Sequence, residues 1–353
     1  QIDVNLQTSL KETALQIACE NKDFTIMNEL LQHPQIDTNV KLSNGNTPLH
    51  IACDNYRLNL IKMILNNPQT DVNSINNEGK TALSIACDQN RLDVINLLLN
   101  HPELKVSIPS QKNPIENAIQ KNNREIFNIL IHHPSFDVNE VDSKSMTPLG
   151  YAIKEQNIDF VHQLLINPNI DINKKFITKE EVKTKSFNRP NNNNNYNSGR
   201  FGGFNYNRFN RNNYDDNSND DNSNEVLEVL STPINVVLKL NNYKLMKMLI
   251  QYPSLDINAY TNGKTSLQSA VASNNIKLTS LLLSFPSIDV NMITIIDQES
   301  ITLNTNPRRY NVRNDPFLFG MSPLNIACIN RNAEIVKELI KNDDLNVNGY
   351  TSA

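Results

Sequence analysis

Three of the four cysteines, Cys19, Cys53 and Cys87, stand 34 residues apart. That interval suits neither a metal-ligand set nor a disulfide framework, and it is best read as the period of a repeat. The segment from Val40 to Asn73, "VKLSNGNTPLHIACDNYRLNLIKMILNNPQTDVN", recurs from Ser74 to Ser107 and, with drift, six more times. A repeat this short cannot enclose a core of its own. Its apolar faces have to be buried by its neighbours, so the chain is constrained to stack.

The columns of the repeat say what each unit is. One anchor position reads Thr13, Thr47, Thr81, Asn113, Thr147, Thr232, Thr265, Ser322. Each of these side chains can accept a hydrogen bond from the open amides of a first helical turn. Pro follows at Pro48, Pro114, Pro148, Pro233 and Pro323, where its missing N–H costs nothing. Apolar columns at Leu15, Ala18, Cys19 and their equivalents make one face of a short helix. A second apolar helix follows through Ile26, Leu60, Val94, Ile126, Phe160, Leu245, Leu278 and Ile335, and Pro ends it in seven of eight copies. The Ala column permits close approach of successive first helices. The Cys column is expected inside the stack, with successive Cα atoms too far apart for disulfides, in a reducing compartment.

These columns resemble the ankyrin repeat, whose signature is closest at Thr47, Pro48, Leu49, His50, Ile51, Ala52, Cys53. The resemblance covers eight repeats. It implies an all-α repeat solenoid of stacked helix-turn-helix units with β-hairpin-like fingers, curved and binding proteins on the concave side. Departures from the pattern carry their own expectations. The family's His column reads Gln16, His50, Ser84, Glu116, Gly150, Asn235, Gln268, Asn325, so the inter-repeat tie made by that imidazole is expected at one repeat and missing at seven. The inter-helix turn, usually Gly, reads Lys22, Tyr56, Asn90, Asn122, Gln156, Asn241, Asn274, Arg331. The turn needs positive φ, which Asn tolerates best after Gly, and the array is expected to be softer than a consensus one.

The anchor spacing sets the domain plan: about five repeats over 1–173, an insertion at 174–231, and about three repeats over 232–353 with a finger insertion at 292–321. Both insertions follow an Asp-x-Asn tail and precede a helix cap, which is the finger position. Lengthening such a loop tenfold costs only ~2 kcal/mol, so the stack is expected to continue across both. The first insertion is low-complexity and expected to be disordered: 16 of the chain's 60 Asn lie between 188 and 224. Its basic half interleaves Arg200, Phe201, Phe204, Tyr206, Arg208, Phe209 and Arg211, resembling Arg/Gly/aromatic segments that bind RNA or self-associate. Residues 215–228 offset it with six acidic side chains. In the second insertion Ile293, Ile295, Ile301 and Leu303 alternate as in a hairpin, beside a basic cluster of Arg308, Arg309, Arg313 and Tyr310. The opening "QIDVN" reads as the tail of a further repeat and "NVNGYTSA" as the start of another finger, so a longer array is expected.

No Gly-rich phosphate loop, His-Glu-x-x-His or Cys-x-x-Cys is present. Four of the six His fall where second helices end, a place the helix dipole accounts for. The Asp of the Asp-x-Asn tails suit turn chemistry better than calcium. A net charge of -4 argues against a generally basic nucleic-acid binder, and no apolar run approaches a membrane span. The sequence therefore points to a non-enzymatic scaffold without cofactor, metal or small-molecule substrate, cytoplasmic or nuclear, binding proteins of unknown identity. Variable positions Tyr56, Arg57, Asn77, Glu78 and Arg91 are the candidate contacts. The alternatives are an RNA-associating or condensate-forming protein acting through the Arg/aromatic insertion, and a targeting module for a catalytic domain lying elsewhere.

Overall fold

The structure is a computed structural model and describes residues 3–108, 113–182, 225–261, 263–295 and 320–347. Each anchor residue opens a pair of helices. They are α1 (Ala14–Glu20) and α2 (Phe24–Leu31), α3 (Pro48–Asp54) and α4 (Leu58–Leu65), α5 (Ala82–Asp88) and α6 (Leu92–Leu99), then α7 (Pro114–Gln120) and α8 (Arg124–Ile131). The fifth pair is α9 (Pro148–Lys154) and α10 (Ile158–Leu165), followed by strands β1 (Phe176–Val182) and β2 (Glu225–Ser231). The last three pairs are α11 (Pro233–Lys239) and α12 (Tyr243–Leu249), α13 (Ser266–Ala272) and α14 (Ile276–Leu283), and α15 (Pro323–Ile329) and α16 (Ala333–Ile340).

Helices of two turns are marginal in water, so packing has to hold them. It does so in register with the sequence columns. Leu15, Leu49, Leu83, Ile115, Leu149, Ile234 and Leu267 are all buried, as are Ala18, Ala52, Ala86, Ala118, Ala152, Val237, Ala270 and Ala327. Second helices add Leu60, Val94, Ile126, Phe160, Leu245, Leu278 and Ile335, with Phe127 and Phe160 stacked at 4.1 Å between centroids. Each fully buried Leu or Ile contributes about 1.5–3 kcal/mol.

Two column members depart from expectation for one reason. Ile26 is 50% exposed and Met27 beside it is buried instead, because no described element packs on the outer face of the first pair. Cys328, expected inside the stack, is exposed on the last pair for the same reason. Cys19, Cys53 and Cys87 are buried free thiols, and burial pushes Cys19 up to about 12 and the other two higher still.

The first insertion is not without structure at its ends. Its two ends are β1 and β2, paired in a two-stranded sheet, where an unstructured segment was expected. Phe176 supplies the reason: its buried ring lies against Gly150, where an added Cβ would come within 3.0 Å of the ring. Residues 183–224, on which the rest of that expectation falls, lie outside the described residues. So do Ile301, Leu303, Arg308, Arg309, Tyr310 and Arg313, although the base of the second insertion pairs as a hairpin would. There the Thr294 amide donates to the Met321 carbonyl at 3.0 Å, and the Gly320 amide to the Thr294 carbonyl at 3.1 Å.

Candidate interaction surface

The finger face is held by the column that the family fills with His. His50 Nδ1 accepts the Thr47 amide at 3.1 Å, which leaves Nε2–H to donate to the Lys80 carbonyl of the next finger at 3.0 Å. Burial lowers the affinity of this ring for a second proton. The expected loss of the tie holds at Ser84 and Asn325, whose side chains bond only within their own caps among the described residues, and is corrected by the geometry at other repeats. Gln16 accepts the Thr13 amide at 2.7 Å and donates to the Lys41 carbonyl at 2.9 Å. Gln268 accepts the Thr265 amide and donates to the carbonyls of Met292 and Met321, both arms of the second insertion. A side-chain amide spans the same acceptor-to-donor reach as a neutral imidazole. Asn235 reaches Thr261 at 2.6 Å, Glu116 pairs with Lys144, and at Gly150 the Phe176 ring takes the place of a side chain.

A second set of ties runs through the Asp-x-Asn tails. Each Asp accepts the amide of the Asn two residues on, at 2.8–3.0 Å, closing a local turn. Each Asn then clasps the next tail with both ends of its amide. Asn39, for example, donates to the Gln69 carbonyl at 2.6 Å and accepts the Asp71 amide at 2.8 Å. Asn5, Asn73, Asn139 and Asn258 do the same to the tail that follows. Asn173 makes its clasp across the first insertion, to Ser254 and Asp256, and Asn291 across the second, to Asp344 and Asn346. Ser107 replaces Asn in the third tail and keeps one bond, accepting the Asp137 amide at 3.3 Å. The histidines near these tails do more than meet a helix dipole. His33, His101 and His133 accept backbone amides through Nδ1 at 3.3 Å, a role Asn67, Asn167 and Asn342 fill in other repeats.

The turns between first and second helices form a separate ribbon. Lys22, Tyr56, Asn90, Asn122, Gln156, Asn241, Asn274 and Arg331 all have φ between 51° and 58°, the left-handed region expected for this column. From the fourth repeat on, the helix cap that follows is Asn, and its amide works twice. Asn157 Oδ1 caps its own helix at the Phe160 amide, 3.1 Å, while its Nδ2 donates to Asn122 Oδ1 of the preceding turn at 2.9 Å. Asn123, Asn242, Asn275 and Asn332 repeat the arrangement on Asn90, Gln156, Asn241 and Asn274.

In the first repeat Asp23 caps the second helix, and in the second and third Arg57 and Arg91 stand where the Asn cap would be. The Arg57 guanidinium lies 4.1 Å over the Phe24 ring and Arg91 lies 4.5 Å over Tyr56, whose hydroxyl donates to Asp93. Tyr56, Arg57 and Arg91 are therefore rungs between repeats as well as exposed side chains. Asn77 and Glu78 sit on a finger: the Asn77 amide donates to the Asn44 carbonyl at 3.1 Å and its Nδ2 to the Ser43 carbonyl at 3.0 Å, while Glu78 is exposed. The five candidates do not form one patch. Finger and turn stand at opposite ends of a seven-residue first helix, about 10 Å apart along its axis. Arg200, Phe201, Phe204, Tyr206, Arg208, Phe209 and Arg211 lie outside the described residues.

Other chemistry on the face is structural. Asp142, buried in the fifth finger, accepts the Tyr151 hydroxyl at 2.5 Å and the amides of Lys144 and Met146, which satisfies its charge. Burial, and then the bond to Asp142, hold the Tyr151 hydroxyl far above its ordinary value. Among the described residues no group of three or more His, Cys, Asp or Glu is placed to hold a metal, and no helix is long and apolar enough to cross a membrane.

Sequence models described as ankyrin repeats match residues 1–76, 69–142 and 105–176, and a single ankyrin repeat matches 319–349. No curated protein matches in sequence. Among solved structures, the ankyrin repeat domain of Bcl-3, described as a unique member of the IkappaB protein family, superposes with a TM-score of 0.51 at 17% identity, covering 84% of this chain and 100% of that one. That likeness speaks for the fold alone. Repeats six and seven fall outside the matched residues, yet their helix pairs, caps and clasps follow the same columns. Ankyrin repeats are, as a class, modules of protein–protein interaction and typically non-enzymatic. With more than half of its residues matched, the chain belongs to the ankyrin repeat family.

Proposed function

We propose that the chain is a protein-binding scaffold that holds its partner on the fingers and the adjoining face of the first helices. The observation that carries this reading is the preformed finger row. Backbone bonds join neighbouring fingers at Asn77 to Asn44, Ile177 to Ser145 and Ile295 to Gly263, at 2.9–3.1 Å, and the Gln, His and Asn ties lie beneath them. A surface fixed before binding loses little entropy on docking. Variable side chains such as Glu78 project from it into solvent, and Lys80 links that finger to the end of α5 through Asp88 at 2.9 Å.

Affinity capture with three forms of the chain tests the proposal: wild type, the finger variant Asn77→Arg/Glu78→Arg, and a deletion of 188–224. A partner held by wild type and by the deletion, and lost from the finger variant, is the expected result. Capture that survives the finger variant and disappears with the deletion overturns it and moves the function to the insertion.

A further inference from the structure

We propose that the turn ribbon of repeats six and seven, at the far end of the first helices from the fingers, is a second docking surface that takes an acidic, extended peptide segment. Three observations converge there. A groove of about 490 Å³ runs along the ribbon, lined among others by Asn241, Tyr243, Asn274, Asn275, Ile276 and Lys277. Tyr243 is 45% exposed in it, an aromatic face left to solvent.

The second observation concerns the ladder amides. Asn241 and Asn274 each spend Oδ1 on accepting the next repeat's cap, and both are exposed. Their NH₂ groups have no partner among the described residues, which leaves one outward donor per repeat. The third is charge. The second helices of these two repeats carry Lys244, Lys247 and Lys277 and no acidic side chain. Lys244 and Lys277 occupy the same column of successive repeats, both exposed, and neither has an ion-pair partner among the described residues; Lys277 lines this groove, and Lys244 lines the adjoining one beside Glu155 and Asp159.

The period of these groups selects the occupant. Packed helices stand ~8–10 Å apart, so donors and ammonium groups recur at about that interval. A polyproline II chain rises 3.1 Å per residue with three residues per turn, so its side chains and carbonyls return to the same side about every 9 Å. A segment with an acid at every third residue places carboxylates on Lys244 and Lys277 and main-chain carbonyls on Asn241 and Asn274. Its intervening side chains rest on Tyr243. A β-strand alternates sides every residue, so equivalent carbonyls three residues apart face opposite ways and miss the second donor.

The test uses the full chain and a fluorescein-labelled Glu-Pro-Pro repeat peptide, about four triplets long, read by anisotropy. A Lys-Pro-Pro peptide serves as the control. Expected results are saturable binding of the acidic peptide alone, weakened about tenfold by Lys244→Glu/Lys277→Glu and by raised salt. Asn241→Gly/Asn274→Gly, which removes the donors while suiting the left-handed turn, weakens it about threefold. Thermal melts of each variant separate lost binding from lost fold. Absence of binding, or binding indifferent to the charge reversal, overturns the proposal. Displacement of the peptide by an oligouridylate at lower concentration, with the same lysine dependence, overturns the peptide assignment in favour of a polynucleotide. Because the finger variant leaves these residues untouched, failure here is distinguishable from failure of the finger reading.

Discussion

Single residues in this chain are chosen for where their polar atoms fall rather than for what the family usually places there. His50 is the clearest case. Burial holds its ring below the ordinary value of 6.5, so the unfolded chain takes the proton first. The stability it contributes is full above that value and declines as pH falls below it. His50→Gln, which copies the Gln16 and Gln268 geometry, is expected to match wild type near neutral pH. It should become progressively more stable than wild type toward pH 5, by paired denaturant melts across the range. The turn column allows a second test. Lys22 carries a side chain at φ 53, a conformation that costs a non-Gly residue roughly 1–2 kcal/mol. Lys22 has no tie to another repeat among the described residues, and Lys22→Gly is expected to raise stability by about 0.5–1 kcal/mol once the greater freedom of an unfolded glycine is set against it.

At the level of elements, helix caps, helix starts and the left-handed turns were legible because each depends on residues within a few positions of one another. Thr13 to Gln16, or Asn90 alone, can be read locally. The clasps were not, because Asn39 meets Gln69 and Asp71 some thirty residues away, and only the stacked geometry pairs them. The Gln ties were missed because an alignment column records a change of residue type, while the amide preserves the hydrogen-bond reach. Asn39→Ala removes two bonds to backbone and is expected to cost about 1–3 kcal/mol, measured in urea. Gly150→Ala drives a methyl group against the Phe176 ring and should cost about 1–3 kcal/mol. Adding Phe176→Leu should restore part of that loss, where a purely helical effect of Ala would leave it unchanged.

For the molecule as a whole, the two insertions interrupt the sequence without interrupting the stack. Asn173 reaches Ser254 and Asp256, and Asn242 reaches Gln156, so repeats five and six are joined on both edges across the first insertion. Replacing 183–224 by a short Gly/Ser turn between β1 and β2 is expected to leave one cooperative transition. It should also raise stability by about 1–2 kcal/mol through a smaller closure loop. Two separate transitions would show that the joint depends on the insertion. The placement of the candidate contacts was less legible than the repeats, since Tyr56 and Arg91 read as variable surface positions and prove to be stacked on one another.

The ladders also decide how the array responds to its surroundings. Amide groups neither titrate nor carry net charge, so electrolyte that screens exposed ions leaves them largely alone. The lysines on the turn ribbon have no such immunity. Cohesion and charged capture are thus governed by different variables, and rising ionic strength should empty the ribbon while the spine beneath it stays assembled.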